Sequence, residues 1–292
     1  MSMTKVITIG GSGLIGSRLT ELLSKSFVFK DLSRKDGVDI TSYQTLKVIE
    51  NDTEFSFVLL LAAKADVDGC EKDKEMGKKG DAWRINVEGV RNVANACLKA
   101  NKKLIYISTD FVFDGENTPE GGYSEVDAPR PLNWYATTKY EGELALMGTG
   151  AKYIIARTAY PYRKEFAAKS DFVRTIGNRL KNGKEVTAVA DHLMSPTYID
   201  DFAFAIQNLI QTDSEGIFHV TGGTSLSPFE AAILIAKKIG ADLHLVKKTT
   251  RAEFFKDRAV RPFNLSMKND KISRLGTSML SFQEGIAKVF QN

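Results

Sequence analysis

Three places in this chain of 292 residues set a tyrosine and a lysine four positions apart: Tyr43/Lys47, Tyr135/Lys139 and Tyr160/Lys164. On a helix that spacing puts both side chains on one face. A phenol beside an ammonium can give its proton to an oxygen gaining charge, such as the alkoxide formed when hydride reaches a ketone. A free tyrosine titrates at about 10, so neighbouring cations that favour the phenolate bring turnover toward neutral pH. Lys139 and an oxidised nicotinamide are the two cations expected to do this. The surroundings single out the middle pair, because its helix follows a strand, Leu104–Ser108, that ends in Ser108-Thr109-Asp110. In a doubly wound sheet ligands sit outside the C-terminal strand ends, so Thr109 falls beside the cofactor and can hold a carbonyl oxygen. Thr109, Tyr135 and Lys139 are therefore the expected catalytic residues. The other two pairs read as surface or second-lobe residues.

The cofactor end lies at the start of the chain. Ile7-Thr8-Ile9-Gly10-Gly11-Ser12-Gly13-Leu14-Ile15-Gly16 reads as an apolar strand, a glycine-rich turn and a helix. Such a turn brings backbone N–H groups and a helix N-terminus to a pyrophosphate. Gly10, Ser12, Gly13, Leu14 and Ile15 are the expected contacts. Asp31, at the end of the second expected strand, suits the ribose hydroxyls of NAD(H). Ser33, Arg34 and Lys35 follow at once and suit a 2′-phosphate, which favours NADP(H) and leaves NAD(H) open.

Positioning these residues requires alternating strands and helices. Strands are expected at Lys5–Ile9, Phe27–Leu32, Ser56–Leu61, Lys103–Ser108 and Lys152–Arg157, with helices at Gly13–Ser24, Ser42–Asn51, Ala82–Ala100 and Asn133–Met147. A Gly/Pro-rich loop spans Asp114–Pro131. The second half is less regular, with helices near Ser170–Lys181, Asp200–Gln211, Pro228–Ile239 and Ser281–Gln291 and a strand at Gly216–Val220. The expected class is α/β: a Rossmann-type doubly wound parallel sheet with a smaller α/β C-terminal substrate lobe. The expected limits are 1–160 and 197–220 for the dinucleotide-binding domain, and 161–196 and 221–292 for the substrate lobe. A hydrophobic content of 43%, a charged content of 26% and dispersed charges summing to +4 fit a soluble globular protein and argue against nucleic acid. Phe57–Ala63 is too short an apolar run to cross a bilayer. Two cysteines and no secretion signal point to a reducing cytoplasm. The three histidines lack ligand spacing, so no metal is expected.

These segments together make the chain resemble the extended short-chain dehydrogenase/reductases, and among them the dTDP-4-dehydrorhamnose reductase family. The resemblance runs through Gly10–Gly16, Val38-Asp39-Ile40-Thr41, Ala62-Ala63, Val67-Asp68 with Glu71, and Asn86. It continues through Ser108–Gly115, Tyr135–Glu143, Arg157-Thr158, Ser195-Pro196-Thr197 and Arg261-Pro262-Phe263-Asn264. It implies reduction of the 4-keto group of a nucleotide-linked 6-deoxyhexose by NAD(P)H. It further implies that Asp39 and Ile40 lie near the adenine, that Ala62, Ala63 and Lys64 lie along the cofactor, and that Asp110, Phe111, Tyr160, Arg261 and Asn264 bind the sugar nucleotide. A homodimer is the assembly left open.

The chain departs from the family's pattern at three places. Leu60-Leu61-Ala62-Ala63 stands where Asn-Ala-Ala-Ala is usual, Tyr160 stands where tryptophan is usual, and Lys72–Gly80 is long and lysine-rich. The last reads as a solvated loop or a cover for substrate phosphates. Two other functions fit the same scaffold: a dinucleotide-binding regulatory subunit, like the β-subunit of methionine adenosyltransferase, and a sugar-nucleotide epimerase or epimerase-reductase.

Overall fold

Four stretches of the first 110 residues line up as parallel strands, three of them mostly buried and one, at the edge of the sheet, half-exposed. The computed structural model describes residues 3–291. Strands β1 (Thr4–Ile9), β2 (Phe27–Leu32), β3 (Phe57–Leu60), β4 (Lys103–Thr109), β5 (Tyr153–Thr158) and, after an excursion, β7 (Gly216–His219) form one sheet in the order β2-β1-β3-β4-β5-β7. β1 pairs in parallel with both β2 and β3, so the order reverses beside it, and Ile9 lies opposite Leu32 on one side and Leu60 on the other. That reversal is the switch point at which a doubly wound sheet opens a crevice. All seven residues of β4 are buried, including Lys103, whose ammonium reaches Asp213 and Glu215.

By compactness the chain forms two units. One comprises residues 1–112, 131–157 and 206–218, and the other comprises 113–130, 158–205 and 219–292. Relative to the sequence expectation, residues 113–130, 158–160, 197–205 and 219–220 group with the second unit, because the chain passes from one unit to the other several times. The first unit's core joins Ile7, Leu46, Val58, Val93, Leu104 and Ile155. The second unit's core joins Tyr162, Val173, Met194, Ile235 and Phe282. The second unit also holds two strands absent from the sequence reading, β6 (Val186–Val189) and β8 (Val246–Thr249), paired in parallel with each other. β6 reads Val-Thr-Ala-Val and β8 Val-Lys-Lys-Thr, with only Val246 of β8 buried, so neither carries a legible apolar run.

Two helical readings change. The expected helix over Ala82–Ala100 divides into Asp81–Trp83, a π-helical turn at Arg84–Gly89, and Val90–Lys99. The lysine-rich segment is helical through Asp73 and 3₁₀ from Lys74 to Lys79, with Asp73 accepting from the Ala82 N–H at 2.6 Å and Lys78 lying over the Trp83 ring.

Candidate active site

β4 ends at Thr109, and the helix Trp134–Met147 brings Tyr135 and Lys139 to it. The Thr109 hydroxyl donates to Asp110 Oδ1 at 2.9 Å and accepts from the Phe111 N–H at 3.2 Å. The Tyr135 phenol is near enough for the Thr109 hydroxyl to favour its ionised form, and the Tyr135 ring meets Phe111 edge-on at 5.8 Å. Thr109, Asp110, Phe111 and Tyr135 thus form one cluster. Lys139 is buried beneath it, its Nζ donating to the Ile107 carbonyl at 2.7 Å and lying 4.1 Å from the Tyr106 ring centroid.

The electrostatics differ from the expectation that Lys139 lowers the phenol. Burial pushes Tyr135 well above the ordinary tyrosine value, and only the nearby Thr109 hydroxyl pulls the other way. The Lys139 ammonium is instead committed to Ile107 and Tyr106. Burial brings Lys139 down to about 7, against the opposing charge of Glu143. Burial also raises Asp110 to about 7, although Thr109 and backbone N–H groups favour its ionised form. Asp110 Oδ2 is buried with no hydrogen-bond partner among the described residues.

The glycine turn is shaped for a close ligand. Gly10 has φ +88°, and a Cβ there would lie 2.9 Å from the Ala62 nitrogen, where the ends of β1 and β3 meet. Gly13 caps the helix Leu14–Leu23 without a side chain, and no acid occupies that helix's first turn. Ser12 and Gly13 are exposed, with Leu14 and Ile15 half-buried behind them. This backbone cradle fits a dinucleotide pyrophosphate.

The remaining cofactor-side residues are arranged in three ways. Asp31 is exposed, but its Oδ1 accepts from the Thr8 hydroxyl at 2.7 Å and the Gly11 N–H at 2.9 Å, so it braces the turn. Ser33 donates its N–H and hydroxyl to Asp36, which commits the donors expected for a 2′-phosphate. Arg34 stays mostly exposed, 3.5 Å from Asp39. Asp39 is held below the usual carboxylate range by the Thr41 N–H, while Ile40 is buried in the core, with its carbonyl bonded by Asn92. Ala62 is half-buried, Ala63 is exposed, and the Lys64 backbone is clamped by Asn86.

Tyr160, Arg261 and Asn264 belong to the second unit. Tyr160 adopts φ +41°, and its hydroxyl meets His192 Nε2 at 3.1 Å. His192 Nδ1 lies 2.8 Å from the Pro262 carbonyl and so carries the proton, which makes Nε2 the acceptor from Tyr160. Burial lowers His192 to about 4, so it stays neutral. Arg261 donates to the Ala259 carbonyl and lies over the Phe255 ring. Asn264 Oδ1 accepts from the Ser266 N–H and hydroxyl.

The family model described as the RmlD substrate binding domain matches residues 3–292. The chain belongs to that family. A dTDP-4-dehydrorhamnose reductase of Aggregatibacter actinomycetemcomitans is 30% identical over 284 residues, 93% of each chain. The dTDP-4-dehydrorhamnose reductase of Bacillus anthracis, solved in complex with NADP, superposes with a TM-score of 0.88 at 33% identity over 99% of both chains. That of Clostridium acetobutylicum gives 0.86 at 29% identity over 98% of both.

In this member of the RmlD family, three polar residues given no role by the spacing argument hold the cluster in place. Asn133 caps the Tyr135 helix by accepting from the Ala136 N–H at 2.9 Å. Glu71 accepts from the Trp134 N–H at 2.7 Å. Asn86, in the π-helical turn, bonds both the N–H and the carbonyl of Lys64 and donates to Thr138, joining the end of β3 to the Tyr135 helix. An asparagine just before a helical run is a capping signal and could have identified Asn133. Among the described residues no cluster of His, Cys, Asp or Glu could hold a metal, and no helix is long and apolar enough to cross a membrane.

Proposed function

We infer that this chain is an NADP(H)-dependent oxidoreductase that reduces the 4-keto group of a nucleotide-linked 4-keto-6-deoxyhexose. The observation that carries the reading is the Thr109–Tyr135–Lys139 cluster at the end of β4, in a chain whose relatives are named for this reaction. The dinucleotide supplies hydride when bound, held at the Gly10–Ile15 turn, with Ala62–Lys64 alongside. Tyr135 is protonated at neutral pH, so the phenol has a proton to give to the oxygen of the reduced carbonyl. Thr109 lies beside the phenol, and its hydroxyl, which donates to Asp110 Oδ1, turns from that carboxyl to donate to the same oxygen. Asp110 and Phe111 border that point, while Tyr160, Arg261 and Asn264 are the proposed sugar-nucleotide contacts of the second unit.

The direct test follows NADPH and NADH oxidation by absorbance while dTDP-4-keto-6-deoxyhexose is generated in the assay. Turnover is expected, and Tyr135→Phe lowers kcat by about 10²-fold or more with dinucleotide affinity nearly unchanged. A fully active Phe variant removes Tyr135 from the chemistry. Tight dinucleotide binding without turnover moves the assignment to a regulatory subunit or another keto sugar.

A further inference from the structure

Lys139 is a cation with too few partners for its depth. It is 3% exposed, and among the described residues only the Ile107 carbonyl, at 2.7 Å, accepts a hydrogen bond from it. The charged and titratable groups facing it come from four elements. Glu143, one turn on in the same helix, favours the ammonium, but its carboxylate is gripped by Arg157 of β5 through Nε at 3.0 Å and Nη2 at 2.6 Å. Cys70, on the helix Val67–Asp73, is a neutral thiol pushed up to about 12 by burial. Tyr135, from its own helix, and Tyr106, from β4, are neutral phenols. What remains is the face of the Tyr106 ring, 4.1 Å from Nζ.

The rest of Tyr106 makes the ring the part that matters. Its hydroxyl is buried with no hydrogen-bond partner among the described residues, at a point where a Cβ on Gly142 would come within 2.9 Å. A buried, unpaired hydroxyl is unfavourable, so the hydroxyl does not explain a tyrosine here. An aromatic face, by contrast, carries a negative quadrupole that attracts an ammonium, and more strongly when both are out of water.

We propose that Tyr106 is a positioning residue whose ring face seats the Lys139 ammonium and keeps it charged beneath Tyr135. The ring acts through Lys139 and touches no reacting atom. The chemical consequence rests on the reading of Lys139 as catalytic, whereas the seat itself does not. Because burial brings Lys139 to about 7, near the midpoint of its titration at neutral pH, a modest change in the ring's attraction changes the fraction charged.

The test varies the ring's electronics at nearly constant size. Tyr106→Phe keeps the face and removes the unpaired hydroxyl. 3,4,5-Trifluoro- and pentafluorophenylalanine at the same position then weaken and finally invert the quadrupole. Lysine labelled with ¹³C at Cε reports each protein's titration by NMR, with the Lys139 signal assigned by its loss in Lys139→Arg. Tyr106→Phe is expected to titrate like the parent, and the fluorinated rings to shift the Lys139 midpoint progressively downward, by about 0.5–1.5 pH units at the end of the series. If only the trifluoro protein folds, a smaller shift in the same direction carries the same conclusion. One midpoint shared by the whole series overturns the proposal, whatever the enzyme's activity. A shifting midpoint in a chain that does not turn over keto sugar leaves the seat intact and rejects the reductase reading. Where turnover is present, the limb of the kcat/KM profile set by Lys139 moves with the NMR midpoint, which a purely structural role for Tyr106 does not produce.

Discussion

Asp110 shows how the candidate site holds charge at an energetic disadvantage. Its carboxyl is raised to about 7 by burial, so between about 4 and 7 the folded chain holds a proton that the unfolded chain releases. The group's contribution to stability is fully present below the unfolded value and is lost as pH rises through about 7. Asp110→Asn is therefore expected to raise Tm relative to the parent at pH 8, by about 2–4 °C per kcal/mol gained, and to change it little at pH 4. Thermal melts across that range decide the matter, and equal effects at both values reject it. Turnover by the same variant is expected to fall, since the amide no longer holds the Thr109 hydroxyl as a carboxylate does. At this scale the sequence was informative about placement, since Tyr135 and Lys139 lie on one helix following the strand that ends at Thr109. It was silent where chemistry depends on pairing across the sheet. Thr8 meets Asp31 because β1 and β2 align those two residues, and this register makes Asp31 Oδ1 a brace for Gly11 as well.

Elements place the cluster through their ends. The Tyr135 helix begins at a cap, and its first turns are held by Asn133, by Glu71 and, through Thr138, by Asn86. Asn133→Ala is expected to destabilise the chain by about 1 kcal/mol in urea unfolding. Asn86→Ala releases both backbone bonds at Lys64, so it is expected to cost about 1–3 kcal/mol and to weaken dinucleotide binding as well. Titration calorimetry that finds unchanged affinity in Asn86→Ala separates the clamp from the cofactor. The helix holding Asn86 reads as regular in the sequence because the apolar positions of Val87, Val90, Val93 and Ala94 suit an α-helix. The π-helical turn at Arg84–Gly89 is set by tertiary demands that no local period records, including Gly89 packing against Ile40 and the bonds of Asn86. Strands β6 and β8 are hidden for the opposite reason: Val-Thr-Ala-Val and Val-Lys-Lys-Thr hold no apolar run like the Phe-Val-Leu-Leu of β3.

Over the whole molecule, the class and strand order follow from a run of apolar segments separated by helices, and those were legible. The limits of the two units were not, since residues 113–130 and 197–205 fall in connecting stretches whose allegiance depends on what they pack against. The assignment of cofactor and sugar contacts to different units has a measurable counterpart. In hydrogen exchange, NADP(H) is expected to protect amides around Gly10–Ile15 and Ala62–Lys64, and the sugar nucleotide those around Tyr160 and Arg261–Asn264. Protection of both sets by the dinucleotide alone contradicts that division. The interleaving also matters during synthesis. The first unit's sheet closes on β7, so a nascent chain must extend past His219 before β5 loses its open edge. By then the chain has already emitted most of the second unit's first half, residues 158–205, ahead of the strand that completes the first. Termination anywhere between residues 158 and 215 thus releases a five-stranded sheet with an unpaired, apolar border, a form prone to aggregate rather than a smaller working dinucleotide-binding protein.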